Sequence, residues 1–141
     1  MNYCELKAIG DAAYTAFDVT VSISDYEENF NVVDGDNAGR SLANARMIRD
    51  VKGAFFGHKI TFCRNGMSPS AVQAFDDLWD WIKRHSVDDY VYIRAADGQT
   101  TISYEAYYTS GSRRLKTVEN GVNYWDELSV NFIPMEPQLT P

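Results

Sequence analysis

Cysteine is nearly absent from this sequence: among 141 residues only Cys4 and Cys63 carry a thiol. They form no C-x-x-C or Cys/His cluster, which argues against zinc binding and dithiol redox chemistry and leaves two buried, reduced thiols as the expected state. Basic residues are outnumbered, 13 Lys and Arg against 20 Asp and Glu, for a net charge of −7. An acidic surface without clustered cations argues against a protein that grips nucleic-acid phosphates. Long apolar runs are missing too: nothing approaches the ~18 to 20 residues of a membrane-spanning helix, and the first residues lack a signal peptide's basic start and apolar run. The expectation is a soluble protein not exported by a cleaved signal. Proline is scarce; of four, Pro69 fits a helix start and the rest fall in residues 134–141, expected to be a flexible tail that cannot continue a sheet. No internal repeat is visible, and the length fits a single domain, residues 1–141.

What is present organises itself around one helix, predicted for residues 69–85. Ser68 is a suitable N-cap, and Pro69 fits the first helical position, where its missing N–H costs nothing. Val72, Phe75, Leu78, Trp79 and Ile82 recur at three- and four-residue spacing, widened by Ala71, Ala74 and Trp81, so one broad face must be buried. Phe75 and Trp79 are expected deep in the core, with Asp76, Asp77 and Asp80 facing solvent. Lys83, Arg84 and His85 suit the negative end of the helix dipole.

The remaining apolar material reads as strands. A weak alternation over residues 3–8 suggests an edge strand, and Phe17, Val19, Val21 and Ile23 alternate with polar residues until Asp25, Glu27 and Glu28. Residues 34–53 form a long arm. Within it the three-residue spacing of Leu42, Ala45, Ile48 and Val51 allows a short helix, and the arginines suit an extended segment touching a neighbour equally well. Residues 54–63 resume strand character, with Phe56, Ile60 and Phe62 on one face and Gly57 marking a bulge. A hairpin follows the helix, its strands flanking Asp97-Gly98. Residues 110–120 read as a polar loop or short strand, and Leu128, Val130 and Phe132 as a closing strand. The fold class is mainly β with one helix, an antiparallel β-sandwich or barrel flanked by that helix.

No catalytic, cofactor or metal site emerges, and the protein reads as a non-enzyme. Asp34, Asp36 and the adjoining Asn37 open like a calcium loop, but the later ligand positions are Ala38 and Ala45, so a turn is the simpler reading. His58, His85 and Cys63 show no catalytic spacing, and the glycines match no phosphate-binding motif. Tyr104, Tyr107 and Tyr108 with Arg113 and Arg114 have the makings of a stacking platform for single-stranded nucleic acid, but with so acidic a balance a strand carrying ordinary tyrosines is the simpler reading. An adaptor that binds a peptide or glycan through those tyrosines is the alternative reading.

The step Ala38, Gly39, Arg40, the progression Met47, Arg49, Asp50, Gly53, and the final strand Trp125 to Ser129 resemble a group of small tail proteins of long-tailed bacteriophages and prophages. Leu42, Ala43 and Asn44 replace a glycine often placed between the first two motifs. The resemblance implies the tail-tube fold and a homo-oligomeric ring, trimeric or hexameric, around a DNA channel. It implies neighbouring tail proteins as partners, DNA only as passing cargo, no membrane and no cofactor. The location would be the virion tail, with assembly in the host cytoplasm. The arm is then the expected assembly element, through Arg40, Leu42, Arg46, Met47, Ile48, Arg49 and Asp50, loosely held in an isolated subunit and ordered by a neighbour.

Overall fold

Alternating β-branched and aromatic residues form long antiparallel strands here, and the one segment with helical spacing forms the one helix. A computed structural model describes residues 4–17 and 20–141. The elements in order are β1 (Cys4–Lys7), β2 (Ser22–Asp34), β3 (Gly39–Arg40), β4 (Met47–Ile48), β5 (Val51–Cys63), α1 (Pro69–His85), β6 (Val91–Asp97), β7 (Thr100–Tyr107), β8 (Gly111–Glu119) and β9 (Val122–Pro134). Strands β1-β6-β7 pair in that order, as do β2-β5-β9-β8, and β9 belongs to both sets because Ile133 and Pro134 pair with Tyr107 and Ala106 of β7. All pairings are antiparallel. The arrangement is consistent with a β-sandwich; the sheet ends at β1 and β2, so the barrel alternative finds no closing pair among the described residues. No helix among those residues is long and apolar enough to cross a membrane.

Both strand sets and α1 contribute to one core, in which Leu6, Ile60, Phe62, Leu78, Ile93, Leu128 and Phe132 are fully buried. The helix starts as its sequence requires: the Ser68 hydroxyl accepts from the Ala71 N–H at 3.2 Å, with Pro69 in the first turn. Ala71, Phe75, Leu78 and Ile82 form the buried stripe. Ile82 has one of the carbonyls a helix end leaves without an intrahelical partner, and the buried Tyr108 hydroxyl donates to it at 2.7 Å.

Several expectations need correction. Trp79 is only half-buried, because it lies on the flank of the stripe rather than its centre. The Arg113 guanidinium sits 5.0 Å from its ring centroid and 4.5 Å from that of Trp125, and donates to Asp76 at 2.7 Å. Asp76 is therefore a partner of β8 and not simply solvated, while Asp80 is exposed as expected. The strand expected to start at Phe17 and stop at the acidic residues instead starts at Ser22 and continues through them to Asp34. Its side chains there face solvent, so the charges cost little. The Phe17 carbonyl accepts from the Thr20 and Val21 N–H groups, both at 3.0 Å, and its ring packs 5.6 Å from Trp81; Tyr3 and Val19 lie outside the described residues.

Gly57 marks no bulge, since the register of β2 with β5 is continuous there. It is a point of close approach: a Cβ would lie 2.7 Å from the Phe132 carbonyl oxygen and 2.9 Å from Asn29 Oδ1. Of the two readings of residues 110–120 the strand holds and the loop does not: β8 and β9 form a hairpin around Asn120 and Gly121, whose φ angles of 51° and 76° are those of a two-residue hairpin turn. The C-terminal segment is tied down rather than free. Ala54 exchanges hydrogen bonds with Leu139, its N–H donating at 2.9 Å and its carbonyl accepting at 3.3 Å. The Gln138 carboxamide accepts from the Phe56 N–H and donates to its carbonyl, both at 3.0 Å. A side-chain amide thus supplies the donor and acceptor that a neighbouring strand's backbone would supply.

Candidate assembly interface

The expected arm is the far end of one long β-hairpin, and neither a helix nor an unpaired loop. Strand β9 pairs with β5 only from His58 to Phe62, whereas β2 stays paired with β5 from Ser22↔Cys63 out to Asp34↔Val51. The hairpin therefore continues past the sandwich. Beyond Asp34 the Gly35 N–H donates to the Asp50 carbonyl at 2.7 Å, and the short strands β3 and β4 pair Gly39 with Ile48 and Arg40 with Met47. The tip is closed by Ser41 donating to Arg46 and Ala45 donating to Ser41, with Ala45 at a φ of 57°. Three-residue spacing suggests a helix here, but the glycines at 35 and 39 and the strand ladder below the tip favour extended pairing.

The candidate residues separate into two groups. Arg49 and Asp50 are used within the hairpin. The Arg49 guanidinium makes a two-pronged contact with Asp34, Nε donating at 2.9 Å and Nη2 at 2.8 Å to its two carboxylate oxygens. The Asp50 N–H donates to the same carboxylate at 3.1 Å, and the Asp50 carboxylate lies 3.5 Å from Lys52 Nζ. The Arg49 hydrogen bond holds the Asp34 carboxyl below its ordinary range, aided by the backbone bond, and Asp34 in turn raises Arg49. Arg49 is thus not a cation left over for a neighbour, as the sequence suggests. The same pairing occupies the first carboxylate of the calcium-like stretch.

Arg40, Leu42, Arg46, Met47 and Ile48 are all exposed, Leu42 completely. Neither Arg40 nor Arg46 meets a carboxylate among the described residues; the Arg40 guanidinium donates to the Ala45 carbonyl at 3.1 Å. Sequence reasoning missed that the apolar surface continues down β2: Phe30 is 71% exposed, and Val32 and Val33 are exposed beside it. The signal was the sequence FNVV just beyond Glu27 and Glu28, in which Phe30 and Val32 share one face of the strand.

The aromatic platform does not come together. Tyr108 is buried under the helix, and Tyr104 turns its hydroxyl to His58 Nδ1 at 2.7 Å. Only Tyr107 of the three is exposed, and Arg113 is held between Trp79 and Trp125. Burial pushes the hydroxyls of Tyr104 and Tyr108 far above their usual range.

His58 is the one buried polar residue among the described residues, 2% exposed. Its Nε2 lies 3.2 Å from the Ala96 carbonyl. A carbonyl only accepts, so Nε2 carries the proton and Nδ1 accepts from Tyr104. Burial pushes this imidazole below its ordinary pKa, against the Ala96 bond and the charges of Glu28 and Asp97. Cys63 stands five positions further along the same strand, an odd offset that places the two side chains on opposite faces and forms no dyad. No protein-family model matches this sequence, and a search of curated proteins finds no similar one.

Proposed function

We propose that the protein is a structural subunit that associates with copies of itself, head to tail, into a ring of the kind found in the tails of long-tailed bacteriophages. In that reading its contacts are with neighbouring subunits and tail proteins, and DNA passes through without being bound. The observation that carries it is the outer half of the β2/β5 hairpin, which extends beyond the sandwich and leaves Phe30, Val32, Leu42, Met47 and Ile48 exposed. Apolar residues gathered along one projecting element mark an interaction surface.

The two edges of the β2-β5-β9-β8 set also differ in charge. Between Ser22 and Asp34, β2 carries Asp25, Glu27, Glu28 and Asp34 and no base. On β8, Arg114 and Lys116 share the single carboxylate of Glu127, at 3.6 and 3.1 Å. Unlike edges favour a heterologous contact over a two-fold one, and a heterologous contact that closes gives a ring. The adaptor alternative has less support, since Tyr108 is buried and Tyr104 is half-buried with its hydroxyl on His58.

The test is the solution mass of the full chain over a range of concentrations, with electron microscopy of the largest species. Rings or short tubes are expected, and replacing Met47 and Ile48 together by Ser should abolish them. A chain that stays monomeric at every concentration overturns the reading.

A further inference from the structure

A cleft of about 300 Å³ opens between β2, β5 and the β6/β7 turn. Its apolar walls include Phe30, Phe56 and Ile102, and its polar side carries Glu28, His58 and Asp97. Glu28 accepts from the Gly98 N–H at 3.3 Å and lies 3.9 Å from His58 Nε2. That imidazole is neutral, for the reasons above, and no Lys or Arg reaches Glu28 or Asp97 within 4.0 Å among the described residues. The cleft is therefore apolar, with two carboxylates at its edge that have no compensating cation.

The hairpin tip has the opposite character. Leu42 stands fully exposed between Arg40 and Arg46, two guanidinium groups without a carboxylate. The tip does not serve its own cleft. Between them lies the ladder from Asn31↔Phe55 to Asp34↔Val51, which at about 3.3 Å per residue sets the tip more than about 10 Å beyond the cleft.

We infer that the cleft receives the hairpin tip of a second copy of this chain, with Leu42 against Phe30, Phe56 and Ile102 and with Arg46 paired to Glu28 and Asp97. This rests on the assembly reading above and names the surface that the arm engages. Tip and cleft are different surfaces, so each subunit donates one and offers the other, and the contact closes into a ring or propagates. Neither end has to refold, because both are already paired or packed. The cations lose water only where carboxylates replace it.

The experiment is charge exchange in the full chain, read by sedimentation velocity. Arg46→Glu and Glu28→Lys should each weaken self-association by about tenfold or more, and the double variant should recover most of the loss. A melting curve for each variant separates weakened assembly from misfolding. As an independent measurement, Leu42→Cys and Phe30→Cys chains are mixed and oxidised, and a disulfide joining one chain of each kind is expected. If the single variants assemble like the wild type, if the double variant recovers nothing, or if no mixed disulfide forms, the cleft is not the acceptor, and the ring reading survives on other contacts. If the wild type itself never associates, the ring reading falls and this inference falls with it.

Discussion

Strand β5 passes through two environments, and the contrast between them explains most of the molecule. From His58 to Phe62 it is flanked by β2 and β9, and Ile60 and Phe62 are fully buried. From Val51 to Gly57 it has β2 on one side and, on the other, the C-terminal segment through Gln138 and Leu139, with Gly57 close against the Phe132 carbonyl. Backbone pairing is continuous across both halves; what changes is whether a second layer stands behind it. Ladder hydrogen bonds hold the outer half in shape, and apolar burial stabilises the inner half. A strand can thus be equally regular at both ends while only one end belongs to the core. The other is left with side chains that can meet a partner.

The largest effect should come from emptying the inner half. Phe62→Ala removes a fully buried ring and should cost about 3 to 5 kcal/mol of stability in denaturant unfolding. Phe30→Ala, one strand away on the exposed surface, should change it by less than about 0.5 kcal/mol. Similar losses would mean that the division of the hairpin is wrong.

His58 sits at the boundary between the halves, and its proton should be visible in stability. The folded protein holds the imidazole neutral and its pKa depressed, whereas the unfolded chain binds a proton near the ordinary value of about 6.5. As pH falls the unfolded state therefore takes up the proton first. This contribution is complete above about pH 6.5 and is lost below it, until the folded group also protonates. Urea unfolding across that range should show the decline, and NMR should find the His58 ring titrating below an ordinary histidine. A ring that titrates in the ordinary range, with stability flat, contradicts the assignment.

A smaller effect is expected where α1 meets β8. Asp76→Ala deprives the Arg113 guanidinium, whose side chain is 14% exposed, of its carboxylate, and should cost about 1 kcal/mol. Asp80→Ala should leave the melting temperature unchanged. Equal behaviour of the two aspartates would return Asp76 to the solvated face that the sequence suggests. Smallest of all should be the stability change of the paired Met47→Ser and Ile48→Ser variant, within about 0.5 kcal/mol. A large loss there would show that the tip is part of the fold and not an exposed surface.

Which features were legible follows from how local their causes are. The helix was readable because its N-cap, its apolar spacing and its basic last turn all lie within residues 68–86. The β6/β7 hairpin was readable because Asp97 and Gly98 mark a turn between two apolar runs. Asn120-Gly121 is an equally strong local signal, and the polar character of β8 masked it. For the arm the sequence offered only residue types; that Arg49 is spent on Asp34 while Arg46 is not depends on which strands pair.

The sequence by itself determined that this chain is a mainly antiparallel β-protein with one amphipathic helix, because periodicity and turn chemistry act over a few residues. Only the tertiary structure decided that β2 runs on through its acidic stretch, that β9 joins two sets of strands, and that Gln138 occupies the edge of β5. It also decided that a neutral histidine and two uncompensated carboxylates share a cleft. Those outcomes depend on groups brought together from distant parts of the chain, where the free energy of pairing and burial outweighs local preference.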